Sequence, residues 1–273
     1  MINFNGRLKP DNELLFNSTN RAFKYGDALF ETLKVVNGKI LYTESHYFRL
    51  MASMRMLRME ISMGLTLEFF ESEVLKTVEA NELIDARVRL TVYRKDGGLY
   101  TPNSNKVNYS IEAKELKVEI KQTYEVELYK DFYLNSGLLS TLKTTNKITN
   151  VLASIFASEN NYNNCILLNE KKNVVEAING NIFIISNGVI KTPPISDGCV
   201  KGIVRSKLLD YFDRTKEYTC EEISISPFDI QKAEEVFVTN VIVGIQPVTN
   251  YRKKVFKTEI SEGIINKVLP NLV

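Results

Sequence analysis

The chain has 273 residues, 44% of them hydrophobic and 25% charged, and its 35 Lys plus Arg nearly balance 33 Asp plus Glu. That length and mixture fit one large or two small globular domains, and the lack of a basic stripe excludes nucleic acid as an expected partner. A single histidine, His46, rules out a multi-histidine metal site and allows a Ser-His-Asp triad only once, so other chemistry must come from Lys, Arg, Tyr, Asp, Glu, Thr or Asn or from a bound cofactor.

Met1–Pro10 is too polar for a signal peptide, and no run approaches the roughly 18 apolar residues of a membrane span, so no membrane partner is expected. Apolar runs at Phe30–Val36 and Lys39–Leu41 flank Asn37-Gly38, a dipeptide that tolerates the positive φ of a tight hairpin turn. Thr43 is a candidate cap for a helix through His46, Leu50, Met54 and Leu57. Thr66 is a candidate cap for a second, with Phe69, Val74, Leu75 and Val78 inward. Val88, Leu90 and Val92 alternate with Arg87, Arg89 and Thr91 as in a half-buried strand, and Val107–Ala113 alternates again. Residues 116–141 carry no strong turn cluster and read as a crossover into a second unit.

Ile148, Val151, Leu152, Ile155 and Phe156 follow helical spacing, the clearest such pattern in the chain. Short strands follow at Ile166–Leu168, Val174–Glu176, Ile182–Ile185 and Val189–Lys191. The loop Asp197–Gly202 opens a helix with Val204, Leu208, Leu209 and Phe212 inward. Glu235–Thr239 is a strand and Ile260–Val268 a closing helix. Interleaved strands and helices predict an α/β (α+β) two-domain enzyme, divided at 1–118 and 119–273. The three cysteines, Cys165, Cys199 and Cys220, are widely spaced without C-x-x-C, as expected of thiols in a reducing, cytoplasmic setting.

Several positions offer chemistry, each beside a plainer reading. Lys143, in an apolar and hydroxylic stretch, suits Schiff-base chemistry if desolvated; from spacing alone a surface loop lysine fits better. Asp197–Gly202 and the following helix start offer backbone N–H groups to a phosphate, or are an ordinary loop. Thr239 and Asn240 close an apolar strand with donor groups. Glu176 ends a strand and can pair with a protonated ring nitrogen, or is a solvated turn acid. Arg49 shares a helix face with His46 and can grip a phosphate, or is a packed helix residue. An amine, a phosphate turn, a carboxylate and a guanidinium together make the set that a pyridoxal phosphate site needs.

The same residues resemble the class-IV aminotransferase family, the fold-type-IV pyridoxal phosphate enzymes. The resemblance runs from Arg21 to Val248, in the family's motif order. It comprises Arg21 with Tyr25–Thr32, His46-Tyr47-Phe48-Arg49-Leu50, Leu142–Asn146, Glu176 with Asn181-Ile182-Phe183, Gly202-Ile203-Val204-Arg205, and Phe237–Asn240 with Gly244–Val248. It implies a smaller N-terminal α/β domain, a larger C-terminal pseudo-barrel domain, and pyridoxal 5′-phosphate as cofactor. It implies that Lys143 holds the cofactor and moves protons, and that Glu176 keeps the pyridine nitrogen protonated. The phosphate would be held by Arg49, Gly202, the backbone of Ile203 and Val204, Thr239 and Asn240. Tyr25 and Phe30 would line the pocket for a small amino-group substrate, and the family suggests a homodimer.

Val204 departs from the usual Thr or Ser of the phosphate turn, and Ala177-Ile178-Asn179 replaces the common small and hydroxylic residues after the glutamate. Thr32, where branched-chain aminotransferases usually carry Gly and D-amino-acid enzymes Val, resembles the 4-amino-4-deoxychorismate lyases, as does the K-x-x-N-K-I run from Lys143 to Ile148. The resemblance therefore leans to the lyase, with Thr32 as a candidate proton donor, and keeps an amino-acid aminotransferase as the alternative. Arg94 is a candidate ligand for a substrate carboxylate in either case, or a strand-end surface arginine.

Overall fold

The computed structural model describes residues 1–13 and 15–271. The chain divides into two compact units. One comprises Met1–Val118 with Lys143–Asn146, the other Glu119–Leu142 with the chain from Lys147 onward.

The first unit is built on a six-stranded sheet. Its strands are β1 (Ile2–Phe4), β2 (Arg7–Lys9), β3 (Ala28–Val36), β4 (Lys39–Ile40), β5 (Ala86–Arg94) and β6 (Val107–Glu115), in the order β2-β1-β6-β5-β3-β4. A short helix, α1 (Arg21–Tyr25), precedes β3, and α2 (Thr43–Met56) and α3 (Leu67–Glu79) follow β4. The β3–β4 hairpin turns at Asn37 (φ 49°) and Gly38 (φ 70°), as its dipeptide predicts. β3 alternates strictly after Ala28: Leu29, Glu31, Leu33 and Val35 are buried, while Phe30, Thr32, Lys34 and Val36 on the other face are half-buried. Thr66 caps α3 by accepting from the Phe69 N–H. Thr43 is not the cap of α2: Tyr42 takes that place in left-handed backbone, and the Thr43 hydroxyl donates to the Ile40 carbonyl at 3.0 Å. On α3, Phe70 rather than Phe69 is fully buried.

The second unit contains two five-stranded sheets. One holds β10 (Asn181–Ser186), β11 (Val189–Thr192), β12 (Thr219–Glu222), β13 (Glu235–Asn240) and β14 (Gly244–Val248). The other holds β7 (Glu125–Leu128), β8 (Asn164–Leu168), β9 (Val174–Ala177), β15 (Asn250–Tyr251) and β16 (Lys254–Val255). Residues of both sheets, among them Val126, Ile166, Ile182, Val236 and Val248, share one apolar core, the arrangement of a pseudo-barrel. Its helices are α4 (Ile148–Glu159), α5 (Ile203–Thr215), α6 (Pro227–Lys232) and α7 (Glu259–Lys267). Glu235, buried on β13, accepts from the N–H groups of Ile260 and Ser261 and so satisfies the start of α7. Among the described residues no helix is long and apolar enough to cross a membrane.

Candidate active site

In the first unit, residues 143–145 add to the sheet beside the N-terminal half of β3. The Phe30 N–H donates to the Lys143 carbonyl (2.9 Å), and the Thr145 N–H to that of Ala28 (3.1 Å). Leu29 and Thr144 form an antiparallel bridge, so Lys143 lies directly opposite Phe30 on the half-buried face. The Lys143 Nζ sits 4.3 Å from the centre of the Phe30 ring. Gly26 (φ 61°) leaves room for the Asn146 side chain, whose Oδ1 a Cβ there would meet at 2.2 Å. Thr32 lies two residues from Phe30 on the same face.

The other face of β3 carries a charge cluster. Glu31 is fully buried, accepts from Arg49 Nε at 2.8 Å and from Arg49 Nη2, and meets His46 Nδ1 at 2.8 Å. Burial alone would raise the Glu31 pKa, but Arg49 and His46 hold it down at about 2. Burial lowers the pKa of His46, despite the opposing pull of Glu31. Arg49, expected to grip a phosphate, thus has a carboxylate partner of its own. The role of Glu31 was not read from the sequence, although it lies in a recognised motif. Its partners follow 15 and 18 residues later, and a lone acid among apolar residues looks like a misplaced surface group.

Arg94, expected at a substrate carboxylate, is instead buried. Its guanidinium donates to Asp27 (2.9 Å), Asn105 (2.6 Å) and the carbonyls of Leu57 (2.7 Å) and Arg58 (3.3 Å). Four of its five N–H donors are engaged in bracing the chain. Asp27 also accepts from Arg21, which donates in turn to the carbonyls of Gly97, Leu99 and Tyr100. Tyr25 is half-buried, with the Arg21 guanidinium 5.0 Å from its ring centre.

In the second unit, the phosphate-turn motif becomes the start of α5. Gly202 is the N-cap and no side chain caps the helix, leaving the first backbone N–H groups, those of Ile203 and Val204 included, without intrahelical partners. A Cβ on Gly202 would meet Asn181 Oδ1 at 1.9 Å. Asn181 also donates to the Val200 carbonyl (2.8 Å) and pairs with Thr239 across β10 and β13. The Val200 N–H in turn donates to Glu176 Oε2 at 2.9 Å, at the end of β9. Asn181 and Val200 therefore link Glu176, the α5 N-terminus and Thr239. This linking role of Asn181 was also not read from its motif.

Among the described residues the buried Thr239 hydroxyl has no hydrogen-bond partner, a costly state that an anionic ligand would relieve. Asn240 Oδ1 accepts from the N–H groups of Ile242 (3.0 Å) and Val243 (2.9 Å) and so shapes the β13–β14 turn. Burial pushes the thiols of Cys165 and Cys199 up to about 12 and that of Cys220 to about 11, which leaves none of them a ready nucleophile.

In the second unit, an uncapped helix start, an orphaned buried hydroxyl and a held carboxylate fit a phosphorylated, nitrogen-containing ring. In the first unit, a lysine on an aromatic platform suits an aldehyde. Comparison with known proteins agrees. The chain is 30% identical over 268 residues to a protein of Methanocaldococcus jannaschii provisionally assigned as a branched-chain-amino-acid aminotransferase, covering 90% of this chain and 86% of that one. It is 24% identical over 257 residues to the aminodeoxychorismate lyase of Vibrio harveyi, covering 91% and 92%. Its fold matches the branched-chain aminotransferase of Thermoproteus uzoniensis with a TM-score of 0.89 at 23% identity, over 97% of this chain and 92% of that one. The sequence model of amino-transferase class IV matches residues 28–251. The chain belongs to the class IV aminotransferase family, whose cofactor is pyridoxal 5′-phosphate.

Proposed function

We propose that this enzyme is a 4-amino-4-deoxychorismate lyase, releasing 4-aminobenzoate and pyruvate. The observation that carries the reading is the placement of Thr32. Its hydroxyl-bearing side chain shares the half-buried face of β3 with Phe30, whose ring carries the Lys143 amine. The reaction needs a base at the carbon bearing the amino group and a proton for the departing enolpyruvate, and an amine and a hydroxyl on one face can supply both.

Bound pyridoxal 5′-phosphate supplies the electron sink for breaking the C–H and C–O bonds. Lys143 would hold the cofactor, and its free amine would be the base at the ring carbon that bears the amino group. Thr32 donates a proton to the leaving group. Glu176 would keep the pyridine nitrogen protonated. The backbone N–H groups of Ile203 and Val204 and the Thr239 hydroxyl bind the phosphate. Tyr25 contributes to the substrate pocket.

The similarity to a branched-chain-amino-acid aminotransferase supports a second reading, transfer of an amino group from an amino acid to a 2-oxo acid. One assay separates the two. The holoenzyme is incubated with aminodeoxychorismate, and in parallel with a panel of L- and D-amino acids plus 2-oxoglutarate. Equimolar 4-aminobenzoate and pyruvate are expected. No 4-aminobenzoate, with ping-pong turnover of an amino acid, would replace the lyase with the aminotransferase.

The working form proposed is a cytoplasmic homodimer. Support for self-association comes from α4, whose Ile148, Val151 and Ile155 are 68%, 50% and 48% exposed, on a helix with no charged residue before Glu159. A solvent-facing helix surface normally carries charges, so an uncharged apolar stripe suits contact with an identical stripe.

A further inference from the structure

The half-buried face of the first unit's sheet places two cations on one aromatic ring. Lys143 is the cross-strand neighbour of Phe30, with Nζ 4.3 Å from the ring centre. Arg89 on β5 lies opposite Thr32 in register, and its guanidinium carbon is 3.9 Å from the same ring centre. Glu112 on β6 stands opposite Arg89. From α2, His46 senses the Lys143 charge, and behind it lies the buried Glu31–Arg49 pair. The pairing of Phe30 N–H with the Lys143 carbonyl fixes ring and amine to adjoining backbone, so their contact is built into the sheet.

An aromatic face attracts a cation and has much less attraction for a neutral amine. A lysine side chain has many rotamers, and contact with a ring narrows them before reaction. We propose that Phe30 is a positioning residue: its ring holds the Lys143 side chain when the amine is an ammonium, in the cofactor-free protein and after the amine has taken a proton, while Arg89, on the same ring, opposes that charge and limits how tightly it is held. The inference rests on the reading of Lys143 as the cofactor lysine. It gives the proton taken by Lys143 a defined resting place, one aromatic ring away from Thr32's face of the strand.

The test replaces Phe30 with 4-fluoro-, 3,5-difluoro- and 3,4,5-trifluorophenylalanine, which keep the shape of the ring while draining its negative face. Apoenzyme is mixed with pyridoxal 5′-phosphate across a pH series, and capture is followed by visible absorbance. In capture the uncharged amine adds to the aldehyde carbon, a C=N bond forms and water leaves. Weakening the ring should free the amine from its proton more easily. The pH midpoint of capture is therefore expected to fall stepwise, by about half a unit across the series. Below the midpoint, capture should become about threefold faster. Arg89→Gln is expected to move the midpoint the opposite way. Affinity for pyridoxine 5′-phosphate, which has no aldehyde, should stay constant.

A flat or rising midpoint across the fluorinated series would overturn the proposal, as would a parallel loss of pyridoxine 5′-phosphate affinity, which would make the ring a contact of the cofactor instead. Failure of the unsubstituted protein to capture the aldehyde at any pH would overturn the cofactor reading itself, and so is distinguishable from failure of the role given to Phe30.

Discussion

A buried hydroxyl with no partner weakens a folded protein by about 1–3 kcal/mol, and Thr239 is in that state. The cost is understandable if the hydroxyl completes a hydrogen-bond set only when a phosphate is bound. Thr239→Val keeps the shape and removes the orphaned oxygen. The apoprotein is expected to melt at the same temperature or higher, while affinity for pyridoxal 5′-phosphate falls roughly ten- to hundredfold, the worth of one hydrogen bond to a charged group. Thermal melts with and without cofactor check both halves; unchanged cofactor affinity would remove Thr239 from the phosphate site. At this scale the sequence, through its motifs, offers Lys143 and Glu176 as the groups proposed to react. It was not legible for the residues that hold those groups. Asn181 acts through a register pairing and a glycine contact, and Asp27 joins two arginines far apart in sequence, Arg21 and Arg94, neither of which spacing relates to the other.

Strand β3 shows how one element keeps two kinds of chemistry apart. Its period of two sends Glu31 to the buried face against α2 and sends Phe30 and Thr32 to the face of Lys143. The Glu31 carboxyl is held at about 2 against an ordinary 4.5, so it binds its proton less readily in the folded protein than in the unfolded chain. Its contribution is complete above about pH 4.5 and disappears as the pH falls through about 2, on the order of 3 kcal/mol. Glu31→Gln should therefore be less stable at neutral pH, because Arg49 and His46 lose a buried partner, and should show a flatter fall between pH 4.5 and 2. Denaturant melts across that range test this; an equally steep fall in the variant would assign the acid sensitivity elsewhere. Elements with a strong local signal were legible in advance, such as the Asn37-Gly38 hairpin and the alternating β5. β7 was missed within residues 116–141, since it is four residues long and its partner β8 comes later in the chain, after a single 3-10 turn and helix α4. For α4 the helical spacing was correct, but periodicity cannot say that Ile148, Val151 and Ile155 point outward while Ala153 and Ala157 point in.

For the whole molecule, that outward stripe makes association the natural expectation. Light scattering of the purified protein should give twice the chain mass, and Ile155→Glu, which places a charge in the stripe, should shift it toward one chain mass with the melting behaviour of the cofactor-free unit retained. A single-chain mass for the unsubstituted protein at micromolar concentration would show that α4 is simply exposed. Fold type and cofactor were both legible at this scale, because six ordered motifs constrain a whole chain far more than any one of them constrains a site. Substrate choice was not, since it depends on loop shape.

The central claim is that Lys143 holds pyridoxal 5′-phosphate. Its most direct test is to load the protein with the cofactor, fix the linkage with borohydride and map the modified peptide by mass spectrometry. The expected result is a single phosphopyridoxyl group on Lys143, lost in Lys143→Ala. The group on a different lysine, or an unmodified protein, would contradict it.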